Sequence, residues 1–222
     1  MVLTALGRAS EALASVDRDL ALAPGSAQAH ELRGKLLFEL RRYADAVASF
    51  DHAAALAPDF VGAHANRGVA LRALRRPEEA LASFDRAIAL APANASIHNN
   101  RGNALRDLKR SDEALASFDR AILLSPGLAE AHSNRGHVML ELKRPAEALA
   151  SFDRAIALKP SHVEAHSGRA RLAAAGTHQR RGLSPARPMQ GASRTWLQRP
   201  ARSTLKAPNW VNLFAREGRA NA

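Results

Sequence analysis

The sequence predicts an all-α solenoid of stacked antiparallel helix pairs. Three observations carry this expectation. Pro24, Pro58, Pro92, Pro126 and Pro160 fall 34 residues apart without a slip, and a fixed period of this length marks stacked supersecondary units. Between those prolines one order recurs: Gly34, Gly68, Gly102 and Gly136, then Ala46, Ala80, Ala114 and Ala148, then Phe50, Phe84, Phe118 and Phe152. Ala, Leu, Glu and Arg are abundant throughout this region. All four are good helix formers.

Taken in order, residues 1–26 read as the later part of a unit. Leu3 and Leu6 match the end of a first helix, and Ala12 and Val16 match the Ala and Phe columns. A repeat buries its apolar face only against its neighbours. An incomplete opening unit therefore predicts that Leu3, Leu6, Leu13 and Val16 are poorly covered. That points to a fragment of a longer array, a wrong start, or a partner over this end, such as a second copy of the chain.

Complete units follow at 27–60, 61–94, 95–128 and 129–162. In 61–94 the first helix is expected from about Gly62 to Leu74. Its residues His64, Arg67, Gly68, Leu71 and Leu74 form a stripe of helical period. Gly68 lets the second helix approach closely, against the roughly 1 kcal/mol that Gly costs within a helix. Arg75 and Arg76 make a turn whose charge suits the helix C-terminus. Pro77 starts the second helix, where its missing N–H does no harm. Ala80, Phe84, Ala87, Ile88 and Ala91 then make the buried stripe, and Pro92 ends it. Residues 163–175 are expected to be a closing helix stopped by Gly176. Residues 176–222 are basic and rich in Pro, Gly and Ser, a composition that predicts disorder, with only Asn209–Arg216 able to form a short helical turn.

The Gly, Ala-x-x-x-Phe and Pro order resembles the tetratricopeptide repeat over roughly residues 1–175. The resemblance implies a right-handed superhelix whose first helices line a concave, ligand-binding groove. The side of each first helix opposite its packed stripe carries Gly62, Ala65, Asn66, Val69 and Ala73 in one unit. In the next it carries Ser96, Asn99, Asn100, Asn103 and Asp107, and then Glu130, Ser133, Asn134, His137 and Glu141. Asn66, Asn100 and Asn134 make a column there. An Asn amide offers both donor and acceptor, suiting the N–H and C=O of an extended peptide, and the column is similar to the asparagine ladder of O-linked N-acetylglucosamine transferase repeats. The competing reading is an amide that merely solvates the groove. Asn99 and Asn103 extend the candidate set. Arg72 and Arg106 flank the groove, either to pair with acidic ligand groups or to stay solvated. Leu32 and Gly168 interrupt the column at its two ends.

Other chemistries find little support. His30, His64, His98, His132 and His166 repeat once per unit, so neighbours stand about 8–10 Å apart, whereas zinc ligands lie roughly 2 Å from their metal. A packing role is expected for them, and no metal or cofactor. Arg33, Arg67, Arg101, Arg135 and Arg169 have Asp51, Asp85, Asp119 and Asp153 as available partners. No phosphate loop or nucleophile constellation is present, so a non-enzymatic scaffold is expected. Residues 1–175 hold 23 Lys and Arg against 20 Asp and Glu, a net of +3, and residues 176–222 hold nine against one, a net of +8. Basicity thus sits in the tail, where Trp196 and Trp210 would stack on bases if nucleic acid were bound. The expected partner is a protein or peptide in the groove. The alternatives are a targeting module associated with a glycosyltransferase and, third, a nucleic-acid adaptor using the tail. With no apolar run of membrane-spanning length and no secretory signal, a cytoplasmic location is the expectation.

Overall fold

In the computed structural model residues 2–181 are described, with side chains over residues 8–174, and all of them belong to one unit, Met1–Gly182. From residue 182 onward the chain lies outside the described residues. So do the expectations placed there: disorder, the helical turn at Asn209–Arg216, and any role for Trp196 and Trp210. The side chains of Leu3 and Leu6 fall outside as well.

Ten helices and no strand occur among the described residues. They are α1 (Val2–Leu22), α2 (Ala27–Glu39), α3 (Tyr43–Leu56), α4 (Val61–Ala73), α5 (Pro77–Leu90), α6 (Ala95–Asp107), α7 (Ser111–Leu124), α8 (Ala129–Glu141), α9 (Pro145–Leu158) and α10 (Val163–Arg181). In each full unit the first helix packs on its own second helix, which packs in turn on the first helix of the next unit. Successive first helices α2, α4, α6 and α8 also touch one another.

The turn within each unit is set by one residue. Arg75 takes φ 60°, and Arg41, Lys109 and Lys143 take 58°, 61° and 57°. This left-handed conformation is usually given to Gly at a helix end. It closes α4 through Arg75 N–H to the Arg72 carbonyl and Arg76 N–H to the Leu71 carbonyl, both at 3.0 Å. A side chain there costs about 1–2 kcal/mol. A cation beside the helix C-terminus returns about 0.3–1 kcal/mol of that.

The core follows the Gly and Phe columns. Phe50, Phe84, Phe118 and Phe152 are fully buried, as are Leu37, Leu71, Leu105 and Met139. A Cβ added to Gly68 would stand 2.6 Å from the Phe84 ring, and one on Gly102 would stand 2.6 Å from the Phe118 ring. Each glycine is therefore the seat of an aromatic ring from the second helix, and the close approach expected at Gly68 is present in every full unit.

Two columns hold the stack together from outside. Each column arginine reaches the aspartate 16 residues earlier, on the preceding unit's second helix: Arg67–Asp51 at 2.5 Å, Arg101–Asp85 at 2.6 Å, Arg135–Asp119 at 2.7 Å and Arg169–Asp153 at 3.1 Å. Arg33 does the same with Asp17 at 2.7 Å. The Nη1 of Arg67, Arg101 and Arg135 also donates to Ser83, Ser117 and Ser151 of the arginine's own unit, at 2.7, 2.8 and 2.8 Å. Each of the five column histidines, His30, His64, His98, His132 and His166, donates from Nε2 to the carbonyl of the proline six residues earlier, at 2.8–3.1 Å, as His98 does to Pro92 at 2.9 Å. The carbonyl can only accept, so Nε2 carries the hydrogen. The histidines thus tie the inter-unit turn to the following helix.

Three expectations need correction. The opening segment is one continuous helix, α1, without a break between Leu6 and Ala12. No Pro interrupts it, and its single Gly7 costs too little to stop a helix of this length. Leu13 and Val16 are not poorly covered; each is 7% exposed, beneath the neighbouring α2. The closing helix runs through Gly176 to Arg181 instead of ending at 175. A lone glycine, with good helix formers at Gln179 to Arg181 and no proline before Pro185, is not a stop.

Candidate functional site

The groove face is governed by a register in which a residue of one first helix meets the residue 35 positions later on the next. Asn66 Nδ2 donates to Glu31 Oε1 at 2.7 Å, and Asn134 Nδ2 donates to Asn99 Oδ1 at 3.0 Å. Arg72 Nε meets Asp107 Oδ2 at 2.9 Å in the same register. Asn100 faces Ala65 in that register, and Ala has nothing to offer it. Ser133 faces Gly168, and its buried Oγ has no partner among the described residues. The three column amides are therefore not equivalent. Asn66 and Asn134 each commit one N–H and keep the oxygen, whereas Asn100 has no hydrogen bond among the described residues. All three are half-buried.

Other expected groove residues divide. Asn99 is only 9% exposed and Ser133 only 2%, so both sit between neighbouring first helices rather than open in the groove. Asn103 is half-buried beside them. Arg72 is committed to Asp107, while Arg106 is half-buried with no ion pair among the described residues. Helical wheels separated inside from outside but could not show which outward residue the next helix covers. The 35-residue register, one longer than the repeat, carries that information.

Two hollows share the column. One, of about 210 Å³, is lined by Lys35, Phe38, Glu39, Phe50, Asn66 and Val69. The other, of about 450 Å³, is lined by Asn99, Asn103, Glu130, Asn134, Lys159, Ser161, His162, Val163 and Glu164. Phe38, Lys159 and His162 are not among the residues expected from the sequence. His162 occupies the column that precedes each first helix, with Ser26, Phe60, Asn94 and Leu128. Ser26 and Asn94 cap their helices through side-chain oxygens, a preference of such polar residues. His162 does so through Nδ1, which accepts the Ala165 N–H at 3.4 Å.

The electrostatics are mixed. Glu130 accepts from Lys159 Nζ at 3.1 Å. Its own backbone N–H, then Lys159, hold its carboxyl below the usual range. Burial, reinforced by Arg106 and Arg171, pushes the His137 imidazole down. Burial also lowers His132, against the raising effect of its bond to the Pro126 carbonyl. Among the described residues no group of three potential metal ligands comes together, and no helix is long and apolar enough to cross a membrane.

A solenoid of stacked helix pairs, with polar side chains joining successive first helices, is the class of protein that these features define. The family profile of the tetratricopeptide repeat matches residues 2–59 and 65–131, and a second profile of that repeat matches 129–162. The chain belongs to the tetratricopeptide repeat family. Among solved structures it is similar to TTC0263, a thermophilic tetratricopeptide repeat protein of Thermus thermophilus, at 27% identity over 79% of this chain and 94% of that one, with a TM-score of 0.63. It is similar to YrrB, described as a tetratricopeptide repeat protein with an unusual peptide-binding site, at 26% identity over 75% and 86%, TM-score 0.62. It shares the fold of MamA from Desulfovibrio magneticus RS-1, at 22% identity over 73% and 93%, TM-score 0.65. No curated protein matches the chain. Its family and neighbours mark it as a protein-interaction scaffold in the general sense.

Proposed function

We propose that the chain holds an extended segment of a partner polypeptide along the concave face of α4, α6 and α8. The observation that carries this reading is the Asn100 carboxamide. It is half-buried on the first helix of a central unit and has no partner among the described residues. Asn66 and Asn134 flank it, oriented by Glu31 and Asn99 but keeping their oxygens. A free amide between two preset ones offers a donor and acceptors to a peptide backbone at little cost in ordering. The peptide-binding site described for YrrB supports the same use of the fold.

The test is a peptide library displayed on phage and selected on the full chain, with affinities of enriched peptides then measured by fluorescence anisotropy. Replacing Asn66, Asn100 and Asn134 together by Ala should weaken binding at least tenfold while circular dichroism stays unchanged. Affinity unaltered by the triple replacement would move the site away from this face.

A further inference from the structure

Resting on that groove reading, we infer that the partner segment carries an apolar side chain and a carboxamide side chain about five or six residues apart. Each of the two hollows includes one amide of the column, Asn66 in the first and Asn134 in the second. A peptide that bonds to both amides must therefore place side chains over both hollows. The two hollows differ in chemistry.

The apolar part of the first is Phe38, Phe50 and Val69, with Lys35, Glu39 and Asn66 lining the rest. Phe50 belongs to the core, and Phe38 is held by the Tyr43 ring, their centroids 5.1 Å apart. An aliphatic or aromatic side chain gains from burial against these three apolar side chains.

The second contains groups of both kinds with capacity to spare. His162 is 6% exposed. Its Nδ1 accepts the Ala165 N–H, so in the neutral ring Nε2 bears the hydrogen. That Nε2 is buried and has no partner among the described residues. Buried donors in native proteins are ordinarily paired, and an orphan calls for a reason. Asn134 keeps its oxygen, and Glu164 is largely exposed beside His162, its Oε2 3.2 Å from Nδ1. Glu130 and Lys159 neutralise each other, which leaves Glu164 as the uncompensated charge. A carboxylate ligand would be repelled by it, and an ammonium group has no acceptor with which to pair the His162 donor. A Gln or Asn side chain fits both needs: its oxygen accepts from His162 Nε2 and its NH₂ donates to Asn134 Oδ1 or Glu164.

The separation follows from the stack. Asn66 and Asn134 lie on first helices two steps apart, each step touching the next. At about 8–10 Å per step and about 3.3–3.6 Å per extended residue, the span is about five or six residues.

The experiment uses fluorescent 14-residue peptides on a Ser/Thr/Ala background with one Leu and one Gln, in both orders, separated by three to nine positions and titrated into the full chain. Binding should peak at five or six and fall at least fivefold at three and nine. Val69→Ala should weaken the Leu peptide without weakening its Leu→Ala counterpart. His162→Ser, which keeps a helix-capping side chain but removes Nε2, should weaken the Gln peptide and not its Gln→Ala form, and His162→Asn should restore part of the loss. Gln→Glu and Gln→Lys peptides should bind more weakly. Binding that is flat in spacing and indifferent to Val69 and His162, yet lost in the triple asparagine variant, would overturn this inference and leave the groove reading standing. Binding untouched by the triple variant would overturn both. A series in which no peptide binds would overturn this inference.

Discussion

At the scale of single residues, the sharpest constraint is the contact of a missing side chain with an aromatic ring. A Cβ on Gly102 would meet Phe118 at 2.6–2.8 Å, closer than carbon atoms approach. Gly102→Ala should therefore destabilise the protein by about 1–3 kcal/mol, despite the better helix propensity of Ala. Gly25→Ala, with nothing within 4 Å, should stay within about 0.5 kcal/mol. Urea denaturation of the full chain followed by circular dichroism measures both. The turn residues make the opposite prediction. Lys109 holds φ 61° where Gly would be unstrained, so Lys109→Gly should raise stability by about 0.5–1 kcal/mol. A loss there would mean that the lysine's charge outweighs its strain. The Gly and Phe columns were legible in the sequence because identical residues recur at the repeat period. The left-handed turn was not, since Arg and Lys in that position give no conformational signal.

At the scale of elements, the arginine column acts as a clamp between successive second helices. Arg101 bonds Asp85 of one unit and Ser117 of its own. A double-mutant cycle on Arg101→Ala and Asp85→Ala should give a coupling of about 0.5–1 kcal/mol, since the pair is partly exposed. Coupling should shrink in about 1 M salt; additive effects would show that the ion pair contributes nothing. The sequence supplied both partners of this pair but not the offset of 16 residues that joins them. Acid acts through other groups. His132 and His137 have imidazoles pushed down, chiefly by burial, so the unfolded chain binds their protons more readily than the folded one. Stability then falls as pH drops through about 6.5, the unfolded value, toward the lower folded values. Urea midpoints on either side of that value should show this loss, and His137→Asn should reduce it. An unchanged pH slope in His137→Asn would remove that residue from the account.

At the scale of the molecule, repetition made the solenoid readable, while the proposed function rests on its departures from repetition. Four copies of one sentence specify helix pairs and their stacking, because each unit meets only its neighbours. What the copies do not share decides which groove groups remain available. Ala65 leaves Asn100 without a partner among the described residues, where Glu31 and Asn99 occupy Asn66 and Asn134, and a single residue against its neighbour 35 positions on is too faint a pattern to find before the helices are in place. The extension of α10 to Arg181 was hidden for a related reason, since one glycine resembles a stop only when neighbouring helix formers are discounted. Side-chain amide NMR of the full chain during titration with an enriched peptide tests the central claim most directly. The Asn100 NH₂ resonances should shift saturably with the binding curve, and Ala65→Asn, which supplies the acceptor that position lacks, should weaken binding by engaging that amide. Saturable binding that leaves the amides of Asn66, Asn100 and Asn134 unmoved would contradict it.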